Sequence, residues 1–307
     1  NKNMAIYYIN GTTLSNSTAV FTDAALTTCA ADGFYSDGSG ISRNQDNCVL
    51  GPIQICPECL TDCNTGSLVA NSGQGTFLLD LDLGDTIADI GAIIIKFTPA
   101  SVPDGIRATY NGVVYNKLSS NVDGLHEGSV AGGYTYVGNS GASCIPIAGT
   151  TYSSLAIYRY DGSSFADTGT TQDVAVQAGE LSFSSTTPGN LYMVIPKISS
   201  TPKTLNIEMA GVCAGTVFAV EVSCPELLDV YTSSVSAAVN SVDACANPLG
   251  ADYYSAQVAG SPGVPEIFDF VFSDAYGQYK LADGFFQISG AQWIEVSDGI
   301  VVSKGGC

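Results

Sequence analysis

Basic residues are scarce in this chain of 307 residues. Ten Lys and Arg stand against 29 Asp and Glu, which gives a formal net charge of −19. Nucleic-acid binding needs clustered Lys and Arg to neutralise phosphates, and attraction to anionic lipids needs the same residues. We therefore expect no nucleic-acid partner and no membrane insertion. Charged residues make up only 13% of the chain, against roughly 25% in ordinary soluble domains, which favours a part of a large assembly or a secreted β-protein.

Long apolar runs and catalytic motifs are also missing. The chain has no run of about 18 apolar residues that could span a bilayer, and no N-terminal signal sequence is visible. Its only histidine, His126, follows an Asp-Gly turn signal and is expected to be a solvated loop residue. Nucleophile elbow, phosphate loop and HExxH motifs are absent. We expect no enzymatic activity; a hydrolase that uses two carboxylates is the alternative left open.

Glycine is abundant, and its placement predicts an all-β fold. The chain has 34 glycines, which disfavours long helices. Short apolar runs alternate with Asn-Gly and Asp-Gly pairs such as Asn111-Gly112 and Asp298-Gly299. These pairs supply the positive φ angles that tight hairpin turns require. Many short strands separated by such turns predict a β-sandwich or jelly roll.

The two ends of the chain are copies of each other. The sequence Val20-Phe21-Thr22-Asp23-Ala24 recurs as Val271-Phe272-Ser273-Asp274-Ala275, and Ala31–Phe34 recurs as Ala282–Phe285, both at an offset of 251. Eight of the fifteen positions from 20 to 34 are identical at this offset. Two small homologous modules therefore flank a different middle.

Four segments are predicted from these patterns. Residues 1–64 form a small Cys-rich β module, 65–224 a β-sandwich or jelly-roll domain, 225–265 a connecting segment, and 266–307 the second copy of the small module. In the middle domain, the β-branched run Ala92–Phe97 predicts a strand buried on both faces. Within 225–265, the stretch Pro225–Val230 is compatible with a helix or a strand, and the Ser- and Ala-rich part has no clear pattern.

The ten cysteines predict a disulfide framework in an oxidising medium. They are Cys29, Cys48, Cys56, Cys59, Cys63, Cys144, Cys213, Cys224, Cys245 and Cys307. Two pairings are expected: Cys213 with Cys224, which would close a hairpin-length loop, and Cys245 with Cys307, which would close the last module. Zinc is the alternative for Cys56, Cys59 and Cys63 with a fourth thiolate from Cys48 or Cys29. Free thiols in a reducing host are the other alternative.

Two further groups of residues have a ligand-binding interpretation. Asp80, Asp82, Asp85 and Asp89 could hold Ca²⁺, although Asp80 and Asp82 are explained as the outward face of a strand. Tyr110, Tyr115, Tyr134 and Tyr136 are close in sequence, and their rings could stack on a sugar; ordinary core packing is the alternative. No cofactor is expected beyond these Ca²⁺ and zinc alternatives.

The end module resembles small repeated modules in virion structural and fibre-like proteins of tailed bacteriophages, notably of Bacteroidetes-type and aquatic hosts. Phe21–Tyr35 and Phe272–Phe286, with Gln292–Gly299, carry the resemblance. Gly91–Phe97 followed by Val102–Gly112 is similar to jelly-roll domains of phage virion and bacterial surface proteins. The resemblance implies a non-enzymatic virion decoration or fibre-type protein, with other virion proteins as partners and a homo-oligomeric state. The rival is a viral or bacterial adhesin that binds host-surface or mucus glycans through the middle domain.

Overall fold

The computed structural model describes residues 6–36, 41–55, 61–70, 73–129, 131–258, 263–289 and 291–307. The fold is all-β, as predicted, with one 3₁₀ turn (Ile87–Asp89) and one short α-helix among the described residues. No helix in these ranges has the length and apolar character needed to cross a membrane.

The N-terminal module has five short strands. They are β1 (Tyr8–Ile9), β2 (Val20–Phe21), β3 (Gly33–Tyr35), β4 (Ile41–Asp46) and β5 (Val49–Ile55). β1 pairs with β2, while β3, β4 and β5 form a second antiparallel sheet. Four buried apolar side chains, Leu14, Val20, Ala30 and Leu50, form a small core. Within the described residues, the strands of this module pair only with one another.

Two polar side chains complete the interior of this module. Gln45 is fully buried; its side chain accepts from the Val20 N–H at 2.6 Å and donates to the carbonyl oxygens of Val20 and Ala30 at 3.1 and 2.9 Å. The Arg43 guanidinium donates to five backbone carbonyls, those of Leu14, Ser15, Ser17, Leu50 and Gly51. Burial lowers the pKa of Arg43. Because these groups are hydrogen-bonded, they can replace apolar core at low cost.

The middle of the chain is a two-sheet β-sandwich. Its strands are β6 (Thr61–Asp62), β7 (Leu68–Ala70), β8 (Gly75–Asp82), β9 (Gly91–Pro99), β10 (Asp104–Tyr110), β11 (Val113–Tyr115), β12 (Leu118–Ser120), β13 (Gly124–His126), β14 (Thr135–Asn139), β15 (Thr151–Tyr160), β16 (Phe165–Ala175), β17 (Leu181–Ser184), β18 (Leu191–Lys197), β19 (Thr204–Gly211) and β20 (Phe218–Val222). One sheet has the order β16-β15-β8-β19-β10-β14-β17, with β11 on β10 and β6 on β8; the other has the order β13-β12-β18-β9-β20-β7.

Alternating side chains of the two sheets form the sandwich core. In β8, Phe77, Leu79 and Leu81 are fully buried, whereas Asp80 and Asp82 lie on the outer face as expected. The ring of Phe77 stacks on Tyr158 at 4.9 Å and meets Phe218 edge-on at 5.1 Å. This period-two burial follows from the pleat of the strands.

The C-terminal part is a closed six-stranded barrel. Its elements are β21 (Asp229–Ser234), α1 (Ser241–Ala246), β22 (Leu249–Ala256), β23 (Phe270–Phe272), β24 (Gly284–Ile288), β25 (Gln292–Ser297) and β26 (Ile300–Gly306), and the barrel closes in the order β21-β22-β23-β26-β25-β24. Residues 225–265, expected as a connecting segment, thus contribute two of the six strands. The Ser- and Ala-rich stretch contains α1, which the Asn240 side chain caps at the Asp243 N–H.

The duplication seen in the sequence is also present in the hydrogen bonds that aspartate side chains accept from the backbone. Asp23 accepts from the Thr28 N–H at 2.7 Å, and Asp274 accepts from the Tyr279 N–H at 2.6 Å. Asp32 accepts from the Asn47 N–H at 2.9 Å, and Asp283 from the Asp298 N–H at 2.6 Å. The β4–β5 and β25–β26 hairpins also have the same register, since Ile41 faces Ile55 as Gln292 faces Gly306. The repeated aspartates therefore fix the same loop conformations in both copies.

The sandwich and the barrel share an apolar seam. The run Ala92–Phe97 lies in β9, and Ile93, Ile95 and Phe97 face the sandwich core. The expected burial on both faces is only partly met, because Ile94 is half-buried and Lys96 forms a partly exposed ion pair with Glu221. Ala92 and Ile94, on the other face, pack in a cluster with Leu228, Phe270, Phe272 and Ile300 of the C-terminal part. Ala92 and Glu226 exchange two backbone hydrogen bonds, of 2.7 and 3.1 Å, so the seam combines core packing with strand pairing.

Four disulfides join the described cysteines. They are Cys29–Cys48, Cys63–Cys224, Cys144–Cys213 and Cys245–Cys307, with Cα–Cα distances of 5.6, 4.8, 5.9 and 5.5 Å. The expected Cys245–Cys307 pair is confirmed. The expected Cys213–Cys224 pair is wrong, because each of these residues pairs with a cysteine distant in sequence. Cys56 and Cys59 lie outside the described residues.

Candidate functional site

A cleft of about 430 Å³ lies at the seam between the sandwich and the barrel. Its apolar wall includes Tyr110 and Tyr115 of the sandwich together with Phe270 and Phe272 of the barrel. Polar groups also line it, namely Asn111, Asn116, Lys117, Gln278 and Lys280. An apolar wall with a few polar groups at the edge is typical of small-molecule and sugar sites.

The β10–β11 hairpin places both cleft tyrosines. Asn111 and Gly112 have φ angles of 50° and 75°, which confirms the predicted Asn-Gly turn, and Tyr115 pairs with Ala108 across the hairpin. Tyr110 is 4% exposed, and its hydroxyl donates to the carbonyl oxygen of Pro202 at 2.8 Å. Burial raises the pKa of both phenols, so they are neutral hydrogen-bonding groups at neutral pH.

A cluster of charges lies at one edge of the cleft. Asp298 of the barrel forms ion pairs with Lys117 of the sandwich and, at 2.7 Å, with Lys280. Lys117 also lies 3.7 Å from Glu127. Partial burial tends to raise the pKa of Asp298, but hydrogen bonds from Lys117 and Lys280 and their positive charges outweigh it and lower the pKa to about 2. The Asp298 carboxylate is thus ionised across the physiological range and links the two parts of the molecule.

The four tyrosines grouped by sequence do not form one surface. Tyr110 and Tyr115 line the cleft, whereas Tyr134 lies in a separate pocket of about 240 Å³ with Arg107 and Glu180. Arg107 stacks on the Tyr134 ring at 4.5 Å. Tyr136 is fully buried, so a sugar cannot reach its ring. Burial raises the pKa of Tyr134 and of Tyr136.

His126 has a different environment from the expected solvated loop. It lies in β13 and is 4% exposed. Its Nδ1 is 2.9 Å from the Ser182 hydroxyl, and its Nε2 is 2.9 Å from an Asp123 oxygen. The hydrolase triad uses the opposite nitrogens, with Nε2 toward serine. Neither the seam cleft nor the Tyr134 pocket includes Ser182 or His126 in its lining. Sequence reasoning missed this contact, because Ser182 lies 56 residues from the histidine.

The residues proposed for metals have other partners. Asp80 pairs with Arg159 and Asn206, Asp82 pairs with Lys203, and Asp89 accepts hydrogen bonds from Thr86. The Asp82, Asp85 and Asp89 carboxylates share a shallow pocket with Lys203. Across the described ranges, no group of three or more metal-binding side chains is placed to hold an ion.

The disulfides bear directly on the zinc alternative. Cys29 and Cys48 pair with each other, and Cys63 pairs with Cys224. A disulfide sulfur is not the thiolate that zinc requires. Three of the five proposed zinc ligands are therefore used in cross-links.

No family model, curated protein or solved structure matches this chain.

Proposed function

We propose that this protein is a non-enzymatic structural component of a tailed-phage particle, a capsid or tail decoration or a fibre-type protein that docks on other particle proteins. The observation that carries the proposal is the repeated module. The same five-strand arrangement occurs at both ends of a disulfide-linked sandwich, with equivalent hydrogen bonds 251 residues apart. Two similar modules in one chain suit repeated contacts within an assembly. The sequence resemblance of the end modules to modules in virion proteins of tailed bacteriophages is the reason for proposing a phage particle as that assembly.

The cross-links and the charge fit a particle outside the cell. Four disulfides connect segments as distant in sequence as Cys63 and Cys224, and such bonds persist in oxidising surroundings. The net charge of −19 keeps a chain with few charged residues soluble. Both features support a location on the surface of the particle.

Quantitative mass spectrometry of gradient-purified phage particles tests this function. We expect peptides from residues 73–129 and 131–258 to co-purify with the major capsid protein at a constant ratio through the gradient. A replication protein encoded by the same phage is the matched control and should be depleted. If this chain is depleted to the same degree as that control, the protein is not a particle component.

A carbohydrate-binding adhesin is the second candidate, and the seam cleft favours it. Tyr115 is half-buried and lines the cleft together with Asn111 and Gln278. A tyrosine ring in one cleft with side-chain amides is suited to stack on a sugar and bond its hydroxyls. A particle decoration with this cleft could also bind host-surface or mucus glycans.

A glycan array tests the adhesin role with two matched variants. Tyr115→Ala removes a cleft ring, whereas Tyr279→Ala removes a ring that is 61% exposed and does not line the cleft. We expect any glycan signal to fall by about tenfold or more with Tyr115→Ala and to be unchanged with Tyr279→Ala. Equal signals for both variants would exclude the cleft as the glycan site.

A further inference from the structure

Strand β21 closes the C-terminal barrel. On one side it pairs with β22, where Tyr231 faces Tyr253, and on the other side it pairs with β24, where Ser233 faces Ile288. Just beyond β21, Ala238 exchanges backbone hydrogen bonds of 2.7 and 3.0 Å with Phe285. The segment from β21 to Ala238 therefore provides backbone hydrogen-bond partners for the edge of β24 that faces away from β25.

The N-terminal module has counterparts of the other five strands. β1 pairs with β2 as β22 pairs with β23, since Tyr8 faces Phe21 as Tyr254 faces Phe272. β3, β4 and β5 correspond to β24, β25 and β26, each displaced by 251 residues. Among the described residues, none provides a counterpart of β21. In the barrel, β21 lies between β22 and β24. The equivalent edges of β1 and β3 in the N-terminal module face no strand among the described residues.

Phe34 occupies one of these edges. It corresponds to Phe285 and has the same register in its hairpin, since Phe34 faces Asn44 as Phe285 faces Glu295. Its N–H and C=O therefore point to the side where Ala238 binds Phe285. On that side they have no backbone partner within the described residues. The Phe34 side chain is 66% exposed, and an unpaired edge of this kind is a template for strand addition.

One aromatic ring of the barrel has no counterpart among the described residues of the N-terminal module. In the barrel, the Tyr253 ring lies 6.3 Å from Tyr231 and 5.9 Å from Phe286, and Tyr231 is 3% exposed. In the N-terminal module, the corresponding pair is Tyr7 with Tyr35, at 5.3 Å. No described residue takes the position of Tyr231, and Tyr7 is 48% exposed.

We propose that the N-terminal module accepts an extended strand from a partner protein chain, inserted between β1 and β3. The occupant resembles β21: its backbone pairs with both edges, an aromatic side chain points inward onto Tyr7, and small hydroxyl side chains follow as Ser233 and Ser234 do. Main-chain pairing supplies affinity, and the contact of the inward-pointing aromatic side chain with Tyr7 supplies specificity, as in β-strand addition. The inference rests on the proposed docking role and specifies the surface and the partner strand.

A peptide of residues 226–238 of this chain is the probe, because it contains β21 and Ala238. We expect saturable binding of the labelled peptide to the full-length protein by fluorescence anisotropy. Bound peptide should slow amide hydrogen exchange at Phe34 and in β1. A control peptide with Tyr231→Ser should bind more weakly by about tenfold or more, because it lacks the ring that packs on Tyr7.

Two substitutions at one position separate main-chain pairing from side-chain contact. Phe34→Pro removes the N–H donor at the edge and should abolish binding, whereas Phe34→Ala keeps the donor and should retain most of it. Tyr7→Ser is the second variant if Phe34→Pro fails to fold. It removes the ring on which the partner's aromatic side chain would pack and leaves the β3 edge unchanged, so it should weaken binding.

Three outcomes would overturn the strand-acceptor proposal: no binding of the peptide, unchanged binding to Phe34→Pro, or exchange protection in the C-terminal barrel instead of at Phe34. The last outcome would mean that the peptide displaces the protein's own β21. Co-purification with phage particles distinguishes failure of the strand-acceptor proposal from failure of the proposed structural role. If Phe34→Pro is incorporated normally, docking uses another surface; if wild-type protein is absent from particles but binds the peptide, the acceptor edge serves a different assembly.

Discussion

At the scale of single residues, Asp104 is the most unusual group in the sandwich. It is fully buried at the start of β10, and neither carboxyl oxygen makes a well-formed hydrogen bond. Burial raises the pKa of Asp104 to about 8, with a smaller opposing effect of the nearby Thr216 hydroxyl. Burial of an unpaired carboxyl costs much less free energy when the group is protonated than when it is ionised, so this residue makes the stability of the fold depend on pH.

The direction of that dependence follows from the two pKa values. Between the model-compound value of 3.8 and the folded value of about 8, the folded state binds more protons than the unfolded state. The free energy of unfolding therefore falls as pH rises from about 4 to about 8, and the loss persists above pH 8.

Asp104→Asn should remove this loss. We expect the variant to be more stable than wild type at pH 9 by about 2 kcal/mol or more, and to differ much less at pH 4, because the amide does not ionise. Urea unfolding at the two pH values measures the difference. If the free energies of unfolding of the two proteins change equally between pH 4 and pH 9, Asp104 is not buried as described.

At the scale of elements, the two copies of the module stabilise the same framework in different ways. The N-terminal copy uses the Cys29–Cys48 disulfide, and the corresponding positions in the barrel are Lys280 and Gly299. A Cβ atom on Gly299 would lie 2.8 Å from Cβ of Lys280, so the two positions adjoin. Cys48 and Gly299 also share a positive φ, at 64° and 74°.

The double substitution Lys280→Cys with Gly299→Cys should therefore form an additional disulfide. A loop of this length stabilises a protein by about 3 kcal/mol in the chain-entropy model, offset in part by loss of the exposed Lys280–Asp298 pair. Intact mass before and after alkylation tests the cross-link, and thermal unfolding tests its effect. Each single variant is a control, since neither can form the bond. Two alkylated thiols in the double variant would contradict the structural equivalence.

Some elements could be predicted from sequence, and the reasons are local. The Asn111-Gly112 turn and the position of strand β9 depend on backbone and side-chain preferences within a few residues. The Cys245–Cys307 pair was also found, whereas Cys213 and Cys224 were wrongly paired. Cys213 follows β19 and Cys224 follows β20, and each reaches a cysteine far away in sequence. Local spacing contains no information about such partners.

The errors in 225–265 and in the tyrosine group have a similar origin. β21 has no counterpart among the described N-terminal residues, so the internal repeat could not reveal it, and the Ser- and Ala-rich stretch after it has the composition of a loop. Tyr136 in β14 and Tyr134 just before that strand pack in a cluster with Leu155 and Val174, whereas Tyr110 lies in the central core. Closeness in sequence does not place residues from different strands on one surface.

At the scale of the whole molecule, the core is distributed unevenly. The sandwich has a large continuous core that includes Phe77, Ile95 and Phe218, and the seam joins it to the barrel. The N-terminal module has only four buried apolar residues in its cluster. A small core supports little stability of its own, so the Cys29–Cys48 cross-link matters most in this module.

Hydrogen exchange should therefore separate the molecule into two levels of protection. We expect amides in 6–36 and 41–55 to exchange faster than those of β8, β9 and β19, because opening of the small module exposes less apolar surface. Replacing Cys29 and Cys48 by Ser should speed exchange in the N-terminal module and leave the sandwich unchanged. Equal protection throughout the described residues would contradict this division.

Immunogold electron microscopy of tailed-phage particles tests the central claim most directly. Antibodies raised against residues 65–224, the segment predicted as the sandwich, would be applied to purified particles from the sample that contains this sequence. A structural role predicts gold at one fixed position on the particles, on the head, the tail or a fibre. Gold on host cells or in the medium, with unlabelled particles, would contradict that role and support the secreted adhesin.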